Sequence, residues 1–383
     1  MKLMHLADLH IGKNVNDFSL IEDQKYLFDQ LLETARQQKV DAVLLAGDIY
    51  DRSVPSEEAV NLFDDFISAV HREGIQLLVI SGNHDSDDRL NFGSRLFERQ
   101  GIHICGKYQG QLNKVVLEDE YGPVNFYLLP FVKASHVAHF FPQEDITDYQ
   151  SAVETVIRHA EIDYDQRNVL LAHQFVSSSA NLNASQFAGS ESSLPENVGN
   201  VEVISKSVFE NFDYTALGHL HAPQQVGQPN IRYSGSPLKY SLSEIHNNKT
   251  VPIIELKEKG NLTIDLLPLK PLREMRHLHG PLKELLKKEN ISDADDYIYV
   301  TLTDETLIPN AIDKIRQFYP NVLKLDYDNS HTRALQQSAG VLRQSLSFRE
   351  MIAEFYRLSG HEKVSEEEMD LLLQAAREAG IDL

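Results

Sequence analysis

Residues 1–13, MKLMHLADLHIGK, residues 41–51, DAVLLAGDIYD, and residues 76–85, QLLVISGNHD, each run from a short apolar segment into aspartate, asparagine or histidine. A short apolar run bounded by turn-forming residues reads as a buried strand, which predicts strands over residues 2–7, 41–46 and 76–81. Between the first two, Leu20, Leu27, Leu31 and Ala35 recur at helical spacing up to Arg36, behind a Ser19/Glu22 capping pair. A second helix is expected over residues 56–72. Two strand–helix crossovers before residue 85 predict an α/β domain. Working outward, further strands are expected over residues 124–129, 169–172, 214–217 and 231–234, a helix over 152–161, and an edge hairpin over 251–267 that turns at Lys259, Gly260 and Asn261.

The polar residues fall at the carboxyl ends of these strands, where open α/β sheets place their ligand crevice. Asp8 and His10 end the first strand and, two apart, face the same side. Asp48 ends the second and Asn83 and His84 the third, while His173, His219 and His221 follow two later strands. Carboxylates, an amide oxygen and imidazoles with no thiolate match the ligand chemistry of a pair of divalent metals. Asp48 is the natural bridge, because the glycine before it lets the backbone approach closely. With Asp8 and Asp48 as the anionic ligands, two divalent ions leave a local charge of about +2, or about +1 with a bound hydroxide. His84 suits general-acid or transition-state work, and Asp51 is placed to orient its imidazole. Taken singly, Asp-x-His or His-x-His marks structural contacts more often than ligands. Five such ends in one order favour the metal reading. The remaining histidines sit in no such pattern and read as surface or core residues.

Composition bounds the classes. At 383 residues the chain suits two domains and an appendage, taking about 150 residues per domain. A hydrophobic fraction of 42% and a charged fraction of 24% exclude wholesale disorder and a fibrous class. Neither a signal peptide nor a membrane span is expected, and the single cysteine, Cys105, reads as a small buried residue in a reducing compartment, so the expected location is cytoplasmic. The net charge of −21 opposes binding to nucleic acid on average. Charges further apart than about 10 Å are largely screened at 0.1 M salt, so bound metal ions or a basic partner answer that objection locally.

Near Pro268 and Pro271 the pattern changes. A small α+β module follows, with helix over residues 282–288, strand over 297–303, helix over 310–318 and strand over 322–327. A polar stretch, residues 328–337, leads to two amphipathic helical patterns. Phe348, Met351, Ile352 and Phe355 share one face of the first, and Met369, Leu372, Leu373 and Ala376 one face of the second, with capping pairs Ser347/Glu350 and Ser365/Glu368 at their starts. The expected domains are residues 1–268, 269–330 and 341–383. Residues 177–193, rich in Ser and Asn, are expected to form a loop.

Asp8-x-His10, Gly47-Asp48-x-x-Asp51, Gly82-Asn83-His84-Asp85, His173 and Gly218-His219-x-His221 together resemble the calcineurin-type metallophosphoesterase signature. The opening segment, the Asp48–Asp51 segment and residues 233–241, YSGSPLKYS, resemble the nuclease subunits of the bacterial SbcD type, relatives of the Mre nucleases. The resemblance implies a two-sheet sandwich flanked by helices, a small α+β capping domain and C-terminal helices. It implies that Asp8, His10, Asp48 and His221 ligate one metal, that Asp48, Asn83, His173 and His219 ligate the other, and that His84 is catalytic. It further implies two divalent ions, with Mn²⁺ expected, and 3′-to-5′ double-strand exonuclease with single-strand endonuclease activity on DNA, in repair, replication and recombination. The implied partner is an SbcC-type ATPase docked on the C-terminal helices, in a heterotetramer built on a homodimer. Two rivals remain: a phosphoesterase for small nucleotides or phosphoproteins, disfavoured by the appended domain and tail, and a non-catalytic scaffold, disfavoured by the intact ligand set.

Overall fold

The computed structural model describes residues 1–178, 203–330, 332–333, 348–358 and 364–378. Most of the loop expected over residues 177–193, and the capping residue Ser347, lie outside the described residues. By internal contacts the chain divides into two compact units, Met1–Arg276 with Asp295–Tyr297, and His277–Ala294 with Ile298–Leu383.

Counting strands of three residues or more, the first unit contains β1 (Lys2–Leu6), β2 (Ala42–Ala46), β3 (Gln76–Ile80), β4 (Ile102–Cys105), β5 (Asn113–Asp119), β6 (Gly122–Leu129), β7 (Arg167–His173), β8 (Tyr214–Gly218), β9 (Gln224–Val226), β10 (Gln228–Tyr233), β11 (Thr250–Leu256) and β12 (Leu262–Pro268). They form two six-stranded sheets, ordered β12-β11-β1-β2-β3-β4 and β9-β10-β8-β7-β6-β5. Each has a parallel centre closed by antiparallel strands: β11 and β12 on the first sheet, β5 and β9 on the second. Parallel strands covered on both faces carry continuous apolar sequence, which is why Ala42–Ala46 is buried throughout. The sheets bury Leu3, Leu44 and Leu78 of one against Phe126, Leu171 and Tyr214 of the other. Burying each large apolar side chain contributes about 1.5 to 3 kcal/mol before entropy is counted.

Helix α1 (Ile21–Gln38) and helix α2 (Glu57–Arg72) bury Leu27, Leu31, Phe63 and Phe66, with Phe28 and Phe66 ring centroids 4.7 Å apart. Ser56 caps α2 by accepting from the Ala59 amide at 3.2 Å. The capping pair expected at Ser19 and Glu22 does not form. Leu20 occupies the cap of α1 without a side-chain bond, because α1 begins one residue later than that pair requires. Helix α3 (Tyr149–Arg158) covers the outer face of the second sheet with Ala152, Val153 and Val156, and its cap is a box closed by Asp148 and Ser151.

The second unit holds most of a three-stranded sheet, ordered β13 (Met275–Gly280), β14 (Tyr297–Leu302) and β15 (Val322–Tyr327), over a core of Ile298, Val300, Leu302, Ile315, Tyr319 and Val322. Met275–Gly280, a stretch for which no element is expected from the sequence, is thus a strand. Its two helices are shorter than expected, Leu282–Leu285 and Ala311–Arg316. The tail forms α4 (Phe348–Leu358) and α5 (Glu366–Glu378), joined by an Arg349–Glu366 ion pair at 2.6 Å. The capping box at Ser365 and Glu368 forms in both directions. Met369 and Ala376 are buried, while Met351 and Leu372 are exposed.

Candidate metal centre

The site forms where β1, β2, β3, β7 and β8 end, and the backbone there departs from ordinary strand geometry. Asp8, His10, Asp48 and His219 take positive φ values of 53°, 42°, 50° and 105°. Such turns let main-chain bonds knit the strand ends together: the Asp8 amide donates to Gly47 O and the His10 amide to Asp48 O, both at 3.0 Å. The carboxylates are held in turn by amides from other strand ends. Asp8 accepts from His219 N at 2.9 Å, and Asp48 from His84 N at 2.9 Å. Asp85 accepts from the amides of Ile49, Tyr50 and Gly82, clasping the loop that carries Asp48 to the loop that carries Asn83. Close approach demands glycine here: a Cβ at Gly82 would collide with Asp48, and one at Gly218 with the Ala46 carbonyl and, at 2.7 Å, with Nδ1 of His173.

Three imidazoles, those of His173, His221 and His84, are each aimed by a bond from Nδ1. His173 donates from Nδ1 to Ala46 O at 2.8 Å, so Nε2 faces Asn83 Oδ1 at 3.1 Å and Asp48 Oδ2 at 3.3 Å. His221 pairs through Nδ1 with Glu244 at 3.1 Å, and its Nε2 lies 3.2 Å from His10 Nε2. His219 turns Nδ1 inward, 3.0 Å from Asn83 Oδ1. His84 is oriented by Asp51, through the main-chain carbonyl at 3.1 Å; the Asp51 carboxylate instead meets Lys13 at 3.0 Å. Outward anchoring of this kind fixes the tautomer of a ligating imidazole.

All nine sequence-predicted site residues, Asp8, His10, Asp48, Asp51, Asn83, His84, His173, His219 and His221, therefore gather at the crevice formed by these strand ends. Nitrogen and oxygen ligands sit about 2.0 to 2.2 Å from a divalent ion, so two on one ion lie roughly 3 to 3.5 Å apart. The pairs His173–Asn83, His219–Asn83, His173–Asp48 and His10–His221 have that spacing, and the donor set lacks thiolate, so the residues fit a pair of divalent ions. Among the described residues, Asp8, His10 and His221 form one group with metal-ligand spacing, and Asp8, Asp48 and His173 another. Sequence reasoning missed two supports. Glu244 is buried between His221 and Lys249, and no local pattern links it to His221, 23 residues earlier. Asp85 was visible in the Gly-Asn-His-Asp motif, but its role as a clasp was not.

Burial acts against every charge at the site, and the partners decide which survive. Burial raises Asp8 to about 6, aided by the like charge of Asp48 and opposed by His173 and His221. For Asp48 burial also works upward, but the His173 imidazole overrides it and holds the carboxyl well below its ordinary value. His173 is correspondingly raised to about 9, burial opposing and Asp48 prevailing. Burial lowers His219 to about 3, with His173 adding to the effect. Glu244 is lowered to about 2, because His221 and Lys249 outweigh its burial.

A family profile described as calcineurin-like phosphoesterase matches residues 1–223, and one described as type 5 capsule protein repressor C-terminal domain matches residues 271–359. Two relatives, each named as the SbcD component of nuclease SbcCD, are similar over 329 residues. That of Staphylococcus epidermidis is 34% identical, covering 85% of this chain and 85% of its own length. That of Staphylococcus saprophyticus is 33% identical, covering 85% and 84%. Among solved structures, a dimetal phosphatase from Danio rerio aligns with a TM-score of 0.41 at 11% identity, over 71% of this chain and 97% of that chain.

A proton on Nε2 of His173, a candidate ligand atom, would occupy the lone pair through which it could hold a metal ion. Because its pKa is raised, the ion-free site holds this proton through neutral pH and loses it as pH rises past about 9. Ion binding near pH 8 is therefore expected to release about one proton per chain and to tighten with rising pH. Calorimetric titration of Mn²⁺ into metal-free protein, in two buffers of different ionisation enthalpy, measures this; heats independent of buffer would refute it.

Proposed function

The chain belongs to the calcineurin-like phosphoesterase family and, within it, to the SbcD nucleases, and from that premise we propose that it is the DNA-cutting component of an SbcCD-type complex. It is a metal-dependent phosphodiesterase, here read as a 3′-to-5′ double-strand exonuclease and single-strand endonuclease acting in the cytoplasm. The observation that carries this reading is the inward convergence of carboxylate, amide and imidazole donors from the ends of both sheets.

In this reading Asp8, His10, Asp48 and His221 hold one ion and Asp48, Asn83, His173 and His219 the other, with Mn²⁺ the proposed metal. Two ions so held would activate water as a nucleophile and neutralise charge on the phosphate oxygens. The chain's own part is orientation and proton transfer. With Nδ1 of His84 bonded to Asp51 O, Nε2 is the nitrogen through which the ring gives a proton to the leaving oxygen. The His84 amide also holds Asp48, so one residue both positions the proposed bridge and serves the leaving group. Asp51 acts as a positioning residue.

His84→Ala is expected to keep both ions while losing about a hundredfold to ten-thousandfold in cleavage of labelled duplex DNA. Asp48→Ala is expected to lose metal as well. Elemental analysis beside a cleavage assay separates the two, and wild-type turnover by His84→Ala under saturating Mn²⁺ would refute the assignment.

The proposed domain order is phosphoesterase over residues 1–268, cap over 269–330 and partner-binding helices over 341–383. The exposed Met351 and Leu372 support docking of the tail helices on an SbcC-type ATPase, since unpartnered apolar helix surface is a recognised mode of partner binding. Removal of residues 341–383 is expected to abolish co-purification with that ATPase and to leave Mn²⁺-dependent cleavage of a small phosphodiester nearly unchanged. Full-affinity binding by the shortened chain sinks this reading.

The phosphoesterase domain is further proposed to form a two-fold homodimer, which sets two sites to address both sides of a DNA end. Light scattering at micromolar concentration is expected to give twice the chain mass; a monomer mass counts against it.

A further inference from the structure

Arg232 stands on β10 in register with Ala216 of β8, so its side chain leaves the sheet on the face that Ala216 turns toward the core between the sheets. Only 9% of the residue is exposed. Its Nε has no partner, and among the described residues no hydrogen bond or ion pair reaches the guanidinium. Two ionisable groups that sense its charge, His5 and Tyr214, are neutral. Burial, with Arg232 itself second, lowers His5 to about 3, and burial holds the Tyr214 phenol protonated. One carboxylate, Asp213, lines the same cleft, but it is engaged elsewhere. Its Oδ2 accepts from Asn168 N at 2.7 Å and from Lys259 Nζ at 2.8 Å, and its Oδ1 from Gly260 N at 3.1 Å. Among the described residues Arg232 is thus a cation nine-tenths buried without a counter-ion, an arrangement whose desolvation penalty none of them offsets.

The space beside it has a definite chemistry. Arg232 lines a cleft of about 590 Å³ whose walls include Phe212, Pro229, Leu262, Ile264 and Leu266. Leu266, 45% exposed, lies on the solvent side. A guanidinium presents a planar fork of donors that matches two oxygens of a carboxylate or phosphate. Aliphatic walls suit an apolar body. We propose that this cleft, formed at the edges of the two sheets, binds a small organic oxyanion carried on an aliphatic chain, with Arg232 as its counter-ion. The metal ligands take no part in it.

Calorimetric titration of the full chain with octanoate, octyl phosphate, octanol and inorganic phosphate tests this. Octanoate or octyl phosphate is expected to bind once per chain, the tighter of the two identifying the headgroup, and octanol and inorganic phosphate at least about tenfold more weakly. Arg232→Met removes the charge, and Leu266→Glu adds a repelling carboxylate at an exposed position that does not endanger folding. Each is expected to weaken the anion at least about tenfold. Absence of saturable binding by either amphipathic anion, equal binding of octanol, or undiminished binding by either folded variant overturns the proposal. Should Arg232→Met fail to fold, Leu266→Glu decides alone.

Discussion

The carbonyl oxygen of Ala46 accepts the Nδ1 proton of His173 at 2.8 Å across the space between two sheets, and it does so only because Gly218 brings no side chain to the same spot. This contact joins the end of β2 to the ends of β7 and β8. Asp48 comes from one sheet and His173, His219 and His221 from the other, so a site that needs all of them exists only where the sheets touch. The apolar core beneath, from Leu44 to Phe126, fixes the spacing at which they meet. A packed interior tolerates little change in that spacing, and the positions of the donor atoms inherit its rigidity.

Electrostatics at the site then follow from burial. Asp8, His10, Asp48, His173 and His221 are all nearly inaccessible. Buried groups of one sign repel and those of opposite sign support each other, so the Asp48 charge helps to push Asp8 upward while His173 holds Asp48 ionised. This local arrangement is independent of the net charge of −21, which is spread over the whole chain. An acidic protein can therefore address a phosphate through its centre although its net charge opposes binding to a polyanion.

The candidate ligand positions are legible in the sequence because they follow apolar strands closely, and chain order alone puts them at one edge of the sheets. Their anchors are not. The Ala46 carbonyl is main chain, which no side-chain pattern reports, and Glu244 reaches His221 only through the fold. Strands β5 and β13 are hidden because one face of each carries charged or polar residues, as in Asn113–Asp119 and Met275–Gly280, and β4 because its four residues are too short to stand out. The start of α1 departs from expectation because a Ser and a Glu three apart form a box only when the helix begins directly after the Ser, and here Leu20 intervenes. Both tail helices are legible from period alone. Which residues of their stripes are covered depends on packing: Met369 is buried and Leu372 is not.

Four residues of the centre, Asp8, His10, Asp48 and His219, hold a left-handed backbone that glycine would adopt at little cost. Each such residue costs of order 1 to 3 kcal/mol, set against a total stability of roughly 5 to 15 kcal/mol for a typical domain. A lineage released from catalysis would gain stability by drifting toward glycine at these places, and random substitution would find that route readily. At these four places stability and the chemistry of the centre pull in opposite directions, because the glycine that would relax the backbone would also remove the side chain that the centre uses.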